Sequence, residues 1–441
     1  MNKRGEWLLF LDEEHNPYDE TEKWFEKANT QPWIYTQYRF TTERGDFKVK
    51  VFGDGPMRVN GKTLKSIKTG KEFVLSKSFT YVQRPTFMVM RFAAGNVGHL
   101  LMDGMLGTSI QMTMFNLEKQ TDNNILFLDD MFDNGVHDWI ASFNYNKYSS
   151  DKYSVDFYSL MTTQPILQKC SARNGRFSIE TAPCRNSKPH TPNELDGEEG
   201  DEIQTCFKQI IGGIARPYLM SPIGAEVINE PFRSLVSNVK NIDLNPDLSE
   251  KEEIIVTLHN KPKHGRHGES IWNVEELFKH ISERLPKEDF VKKLNKKVKV
   301  INLKLEDYSA KQQVELFSKT DVYLVDQGSA SYMGLFMPRN SFIIQAPDCR
   351  YHAGNADGHK KHCYDRFSQY LMTFSHVKVI PFVHLLPQNT EKDREYTMDC
   401  NPREVQEKNN CDPILDPHVT YRAIIASLKD RYKDELFNLM A

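Results

Sequence analysis

The sequence lacks any long apolar run. Nothing approaches the roughly 20 residues that a membrane-spanning helix needs, so no membrane segment is expected in this chain. It also lacks an excess of charge of either sign. Lys and Arg number 57 against 60 Asp and Glu, a net −3 at pH 7, which gives no reason to expect nucleic acid or an anionic surface as a partner. There is no C-x-x-C, which disfavours a zinc site, and no G-x-S-x-G, which removes the usual elbow of a serine hydrolase. No N-x-S/T sequon occurs. The opening "MNKRGEWLLFLDEEHN" carries an apolar segment of about five residues, shorter than a secretory leader requires.

What is present reads as a globular chain of 441 residues, 39% hydrophobic and 27% charged, long enough for two cores. Six of the seven cysteines form near neighbours: Cys170 with Cys184, Cys349 with Cys363, and Cys400 with Cys411, leaving Cys206 alone. Pairs this close suit short disulfide loops in an oxidising compartment.

The apolar stretches "TFMVMRF" (86–92) and "NNILFLDD" (123–130) read as strands buried on both faces. Residues 184–202 are polar, with two prolines and two glycines, and read as an exposed loop. "NIDLNPDLSEKEE" (241–253) is the expected domain linker. Beyond it, strands are expected at 253–258, 298–303, 321–325, 341–346 and 376–382, with helical patterns between several of them. That alternation predicts a parallel sheet in an α/β domain. Asn273 and Glu276 predict a capping box at one helix start, and 418–437 predicts an amphipathic closing helix.

Three stretches could carry chemistry. In "AAGNVGHLLMDGM" (93–105), a helix beginning near Asn96 would put Asn96, His99 and Asp103 on one sector and Leu101, Met105 and Met112 opposite. A solvated helix face would look similar, but Asp103 is the only formal charge from Phe92 to Leu117, which favours a cleft lining. A carboxylate beside an imidazole suits proton transfer. In "HNKPKHGRHGES" (259–270), Lys261, Lys263, His264, Arg266 and His267 cluster after a strand, at the sheet edge where open α/β folds bind ligands. Such a run is compatible with bare surface or with a diphosphate site. In "LVDQGSASYMGLFMP" (324–338), a strand ends at Asp326 and passes Gln327, Gly328, Ser329 and Ala330 into a helix start suited to an anion or a sugar.

These residues resemble glycosyltransferase family 61, which includes protein O-GlcNAc/mannose-type and plant xylosyl- or arabinosyltransferases. The resemblance runs from about residue 86 to 347. "NVGHLLMDGM" is similar to the family's N-x-x-H followed by Asp, and "CFKQIIGGIARP" (206–217) to its Cys-Phe segment. The block from 298 to 347 resembles its strand, helix, strand, H-G-A-G-L-type turn and final strand. Two departures stand out: Gln327 replaces the family's His, and Glu269 lies where a second arginine is expected near Arg266.

The resemblance implies an α/β, GT-B-like architecture of two Rossmann-like domains facing across a cleft, with a C-terminal helix closing back. The expected boundaries are 1–240 (acceptor side), 241–417 (nucleotide sugar) and 418–441 (helix). It implies an inverting transfer from a nucleotide-diphosphate sugar, a UDP-sugar foremost, to a hydroxyl of a glycan or glycoprotein, with no metal or other cofactor. The absence of any D-x-D agrees with the last point. Asp103, His99 and Asn96 are the expected catalytic set. Lys263, Arg266, Asp326, Gln327, Gly328, Ser329 and Ala330 are the expected donor set. The resemblance and the cysteine pairing favour the ER/Golgi lumen, while the lack of a leader and of sequons allows the cytoplasm. The rival expectation, from Gln327 and Glu269, is a catalytically degenerate glycan- or nucleotide-binding module of the same fold. A hydrolase using His99 and Asp103 is the third.

Overall fold

The computed structural model describes residues 7–10, 49–52, 56–59, 62–65, 75–89, 97–127, 154–171, 177–181, 203–207, 209–212, 222–261, 270–352, 360–365, 371, 374–385, 399–402 and 410–439. The chain divides into two compact units, Met1–Arg216 and Pro217–Ala441. No helix among the described residues is long and apolar enough to cross a membrane.

The first unit contains a five-stranded sheet built from β1 (Thr86–Val89), β2 (Asn124–Phe127), β3 (Leu167–Ser171), β4 (Phe177–Thr181) and β5 (Ile210–Gly212). Its order is β5-β1-β2-β3-β4, parallel except for the last pair. β1 and β2 fall inside the two apolar stretches expected to be strands, and all four β2 residues are buried. Parallel neighbours need a crossover, supplied here by a helical segment in three parts: Val97–His99, a π-helical turn Leu100–Met105, and α1 (Leu106–Met114). Leu101, Met105 and Met112 are fully buried, as are Phe87 of β1 and Phe127 of β2. At Gly104 an added Cβ would come 2.3 Å from the Tyr158 hydroxyl, so the missing side chain lets this helix meet the ring.

In the second unit the expected strands appear as β6 (Glu253–His259), β7 (Lys297–Leu303), β8 (Val322–Val325), β9 (Phe342–Gln345) and, after β10 (Asp348–His352) and β11 (Lys360–Tyr364), β12 (Lys378–Pro381). The sheet order is β7-β6-β8-β9-β12, every pair parallel. Numbered within this sheet the order is 2-1-3-4-5, so the winding direction reverses between β6 and β8. Helices cover both faces. Ile254, Val256, Leu258, Leu324 and Ile344 share one core with Leu277 and Ile281 of α3 (Val274–Arg284) and with Ile424 and Leu428 of α6 (Pro417–Arg431). On the other face Tyr323 meets Phe317 of α5 (Ala310–Phe317) edge-on, with ring centroids 4.8 Å apart. Mixed α/β layers with parallel sheets in both units are compatible with Rossmann-like domains.

Three local expectations come out differently. α2 (Pro222–Lys240) belongs to the second unit, as do residues 241–253, which connect it to β6 rather than linking two domains. The second unit thus begins ahead of α2, which packs against it. Its buried Arg233 donates to the carbonyl oxygens of Leu335, Met337 and Leu244. α3 does start after Asn273, but that side chain makes no cap. Its amide instead exchanges two hydrogen bonds with the Leu415 backbone, at 2.8 and 3.0 Å, clamping the helix start to the chain 142 residues on. The capping box sits on α5, between Ser309 and Gln312. The closing helix is broken once, at Tyr432, into α6 and α7 (Lys433–Asn438).

Cys349 and Cys363, opposite one another on β10 and β11, are disulfide-bonded. These strands continue into β13 (Asp399–Pro402) and β14 (Asn410–Ile414) in an antiparallel sheet ordered β11-β10-β14-β13. The loop 184–202 and Cys184 lie outside the described residues, as do the side chains of Cys170, Cys400 and Cys411.

Candidate functional site

β6 is buried from Ile254 onward and β8 along its whole length, and each leads to a buried polar residue. β6 ends at His259, 5% exposed, and β8 runs into Asp326, 2% exposed. Because the strands are adjacent and parallel, these ends meet. His259 Nδ1 hydrogen-bonds the Asp326 carboxylate through Oδ1, and Lys261 Nζ stands 3.4 Å from Oδ2. Burial alone would raise the Asp326 carboxyl. The His259 and Lys261 charges and the His259 hydrogen bond outweigh it and hold the carboxyl below the usual range. Behind it, burial and then the Asp326 charge push the Tyr323 phenol well above its ordinary value, so it stays protonated and donates to the Ala330 carbonyl at 3.3 Å.

The turn after Asp326 runs inward. Gln327 is 1% exposed and donates its amide to the Ala346 carbonyl at 2.8 Å, while its Oε1 is buried without a partner. Gly328 has φ +142°, with no atom within 4 Å of where a Cβ would stand, so the backbone conformation rather than space calls for glycine. From it starts a 3₁₀ helix, Ser329–Phe336, unusually long for its type. The Ser331 hydroxyl ties back to the Gly328 carbonyl at 2.5 Å. Gly334 lies so close to Ile343 that a Cβ would come within 2.3 Å of that side chain. Ala330 is buried and Ser329 half-buried. At the end of β9, Gln345 is fully buried and both its amide oxygen and its nitrogen are without a partner. A buried amide left unpaired costs about 1–3 kcal/mol.

In the first unit His99 ends the first helical turn and is half-buried, while Asp103 lies in the π-helical turn. A π turn closes its hydrogen bond five residues on rather than four, so His99 and Asp103, four positions apart, lie close to one turn from each other along the backbone. The Asp103 side chain lies outside the described residues, as do Asn96, Lys263, Arg266 and Glu269.

Of the expected donor set the structure thus brings together Asp326, Gln327, Gly328, Ser329 and Ala330. It adds His259 and Gln345, which the sequence reading did not single out, and makes Lys261 a direct partner of Asp326. The only sequence signal for His259 was a polar residue closing an apolar strand, the pattern of a carboxyl-end site in a parallel sheet.

Residues 214–344 match the family model described as Glycosyltransferase 61. The matched span runs from the division of the units through α2 and on into β9. It includes His259, Lys261 and Asp326 but not His99 or Asp103, and it is shorter than the span over which the sequence resembles the family. No curated protein matches the chain.

Proposed function

We infer that this chain, a member of glycosyltransferase family 61, is an inverting, metal-independent enzyme that moves a sugar from a nucleotide-diphosphate donor to a hydroxyl of a glycan or glycoprotein. The donor class favoured is a UDP-sugar. The observation that carries the reading is the place of the His259–Asp326–Lys261 cluster inside the matched span. It stands where the sheet order reverses, and open α/β sheets hold nucleotides outside the carboxyl ends of the strands at that point.

In this reading the two units form a GT-B pair, the second holding the donor and the first the acceptor. Asp103 or His99 takes the acceptor hydroxyl's proton as its oxygen bonds to the anomeric carbon. The bond from that carbon to the diphosphate breaks, and the nucleotide leaves with the electron pair. Asn96 positions the acceptor. Lys263, Arg266 and the backbone N–H groups around Gly328 and Ser329 stabilise the charge that grows on the leaving group. Asp326 and Gln327 are 2% and 1% exposed, which suits a role in ordering the donor turn from beneath. The disulfide Cys349–Cys363 suits an oxidising compartment such as the ER/Golgi lumen.

The test is incubation of the protein with a panel of nucleotide sugars and acceptors, reading released UDP or GDP; release from none of them removes the enzyme reading. His99→Ala and Asp103→Ala should each lower turnover by about 10²–10⁴-fold with nucleotide binding unchanged. A second reading, a catalytically degenerate binding module, draws support from Gln327, whose amide is committed to Ala346. That protein would raise its melting temperature with a nucleoside diphosphate and yet release none from any donor.

A further inference from the structure

We propose that His259 is a catalytic residue of the donor site, its Nε2 edge hydrogen-bonding the β-phosphate of the departing nucleotide. The proposal rests on reading this edge as the donor site. Its geometry is specific. Asp326 engages Nδ1, which fixes the ring and leaves Nε2, with no partner among the described residues, as the edge that can turn to a ligand. The ring closes β6, beside the Gly328 turn that follows β8, so a diphosphate resting on that turn lies within reach of the strand ends.

Among the described residues the Asp326 carboxylate, in the turn after β8, meets both His259 and Lys261, with the Tyr323 phenol behind it. Bond cleavage adds a negative charge to the β-phosphate, so an N–H donated from Nε2 stabilises the departing group more than the bound donor, as transition-state stabilisation requires. The proton stays on Nε2 or passes to a phosphate oxygen as the nucleotide leaves. His264 and His267 lie outside the described residues.

The experiment measures donor affinity and UDP release with UDP-glucose, UDP-xylose and UDP-N-acetylglucosamine, using the full chain. For whichever donor binds, His259→Ala should lower the rate of UDP release about 10²-fold or more while donor affinity changes far less, because the hydrogen bond strengthens as charge grows on the leaving phosphate. His259→Gln, which keeps an N–H donor, should recover part of the lost rate. Release from folded His259→Ala within about twofold of wild type overturns the proposal; where that variant fails to fold, a His259→Gln rate equal to wild type together with unchanged donor affinity supports it, and a His259→Gln rate as low as no enzyme overturns it. Absence of binding to every donor removes the donor-site reading and the proposal together, an outcome distinct from binding with turnover indifferent to His259.

Discussion

β8 carries a buried aspartate at each end, and the two are built for different purposes. At the amino end Asp321 is fully buried and met on both oxygens. Lys251 Nζ (2.5 Å) and the Ile255 amide (2.7 Å) reach Oδ2, while Arg431 Nε (2.6 Å) and the Tyr432 hydroxyl (3.1 Å) reach Oδ1. One carboxylate thus ties the segment before β6, the start of β8 and the end of α6 into one knot. Nearby on the same edge Arg233 donates to three carbonyls and to His376, fixing the far end of the 3₁₀ helix. At the carboxyl end Asp326 has two side-chain partners, one at 3.4 Å, and unpaired amide atoms lie on Gln327, next in sequence, and on Gln345, at the end of β9. The Asp321 carboxylate is met on both oxygens by four groups and Asp326 by two, though both aspartates are hidden from water.

The comparison can be broken by experiment. Asp321→Ala should be the most damaging change, costing about 3–5 kcal/mol because Lys251 and Arg431 are left buried without their counter-charge. Urea unfolding measures it, and a loss under 1 kcal/mol would deny the knot its role. Next comes His376, whose pKa burial and then the Arg233 charge pull down to about 3. The folded ring stays neutral while the unfolded one takes a proton below about 6.5. Stability should therefore fall as pH drops from about 6.5 toward 3, by about 1.4 kcal/mol per pH unit. His376→Gln should remove that slope.

Asp326→Asn should cost less, about 1–2 kcal/mol, since Lys261 is 26% exposed and can be solvated. Its carboxyl is depressed in the fold, so its contribution is present above the unfolded value near 3.9 and is lost as pH falls through the folded one. The variant should lack that acid-side loss, and a cost equal to that of Asp321→Ala would erase the distinction between the edges. The smallest effect is expected at Gln345→Met, which removes an unpaired buried amide and should raise stability by up to about 1 kcal/mol while weakening donor binding. Thermal melts with and without nucleotide check both halves.

The inner strands β6, β8 and β9 were legible because a strand buried on both faces must be largely apolar, and the partly exposed edge strands β7 and β12 because they are rich in Val and Ile. The 3₁₀ helix after Gly328 was legible only as a helix, since its tight turns follow from Gly334 meeting Ile343 and from Arg233 gripping its end. Asn273 read as a cap because the local pattern could not show Leu415 competing for the same amide. The π turn at Leu100–Met105 left no periodic signal, as an inserted residue changes phase over a single turn.

Local pattern therefore determined by itself where the strands run, that they pair in parallel, and that polar residues close them at one edge, because backbone pairing and burial act residue by residue. Which of those polar residues meet was settled only in three dimensions. His259 and Asp326 are 67 positions apart. Only the reversal of strand order between β6 and β8 brings an imidazole and a carboxylate together out of water, where each changes what the other can do.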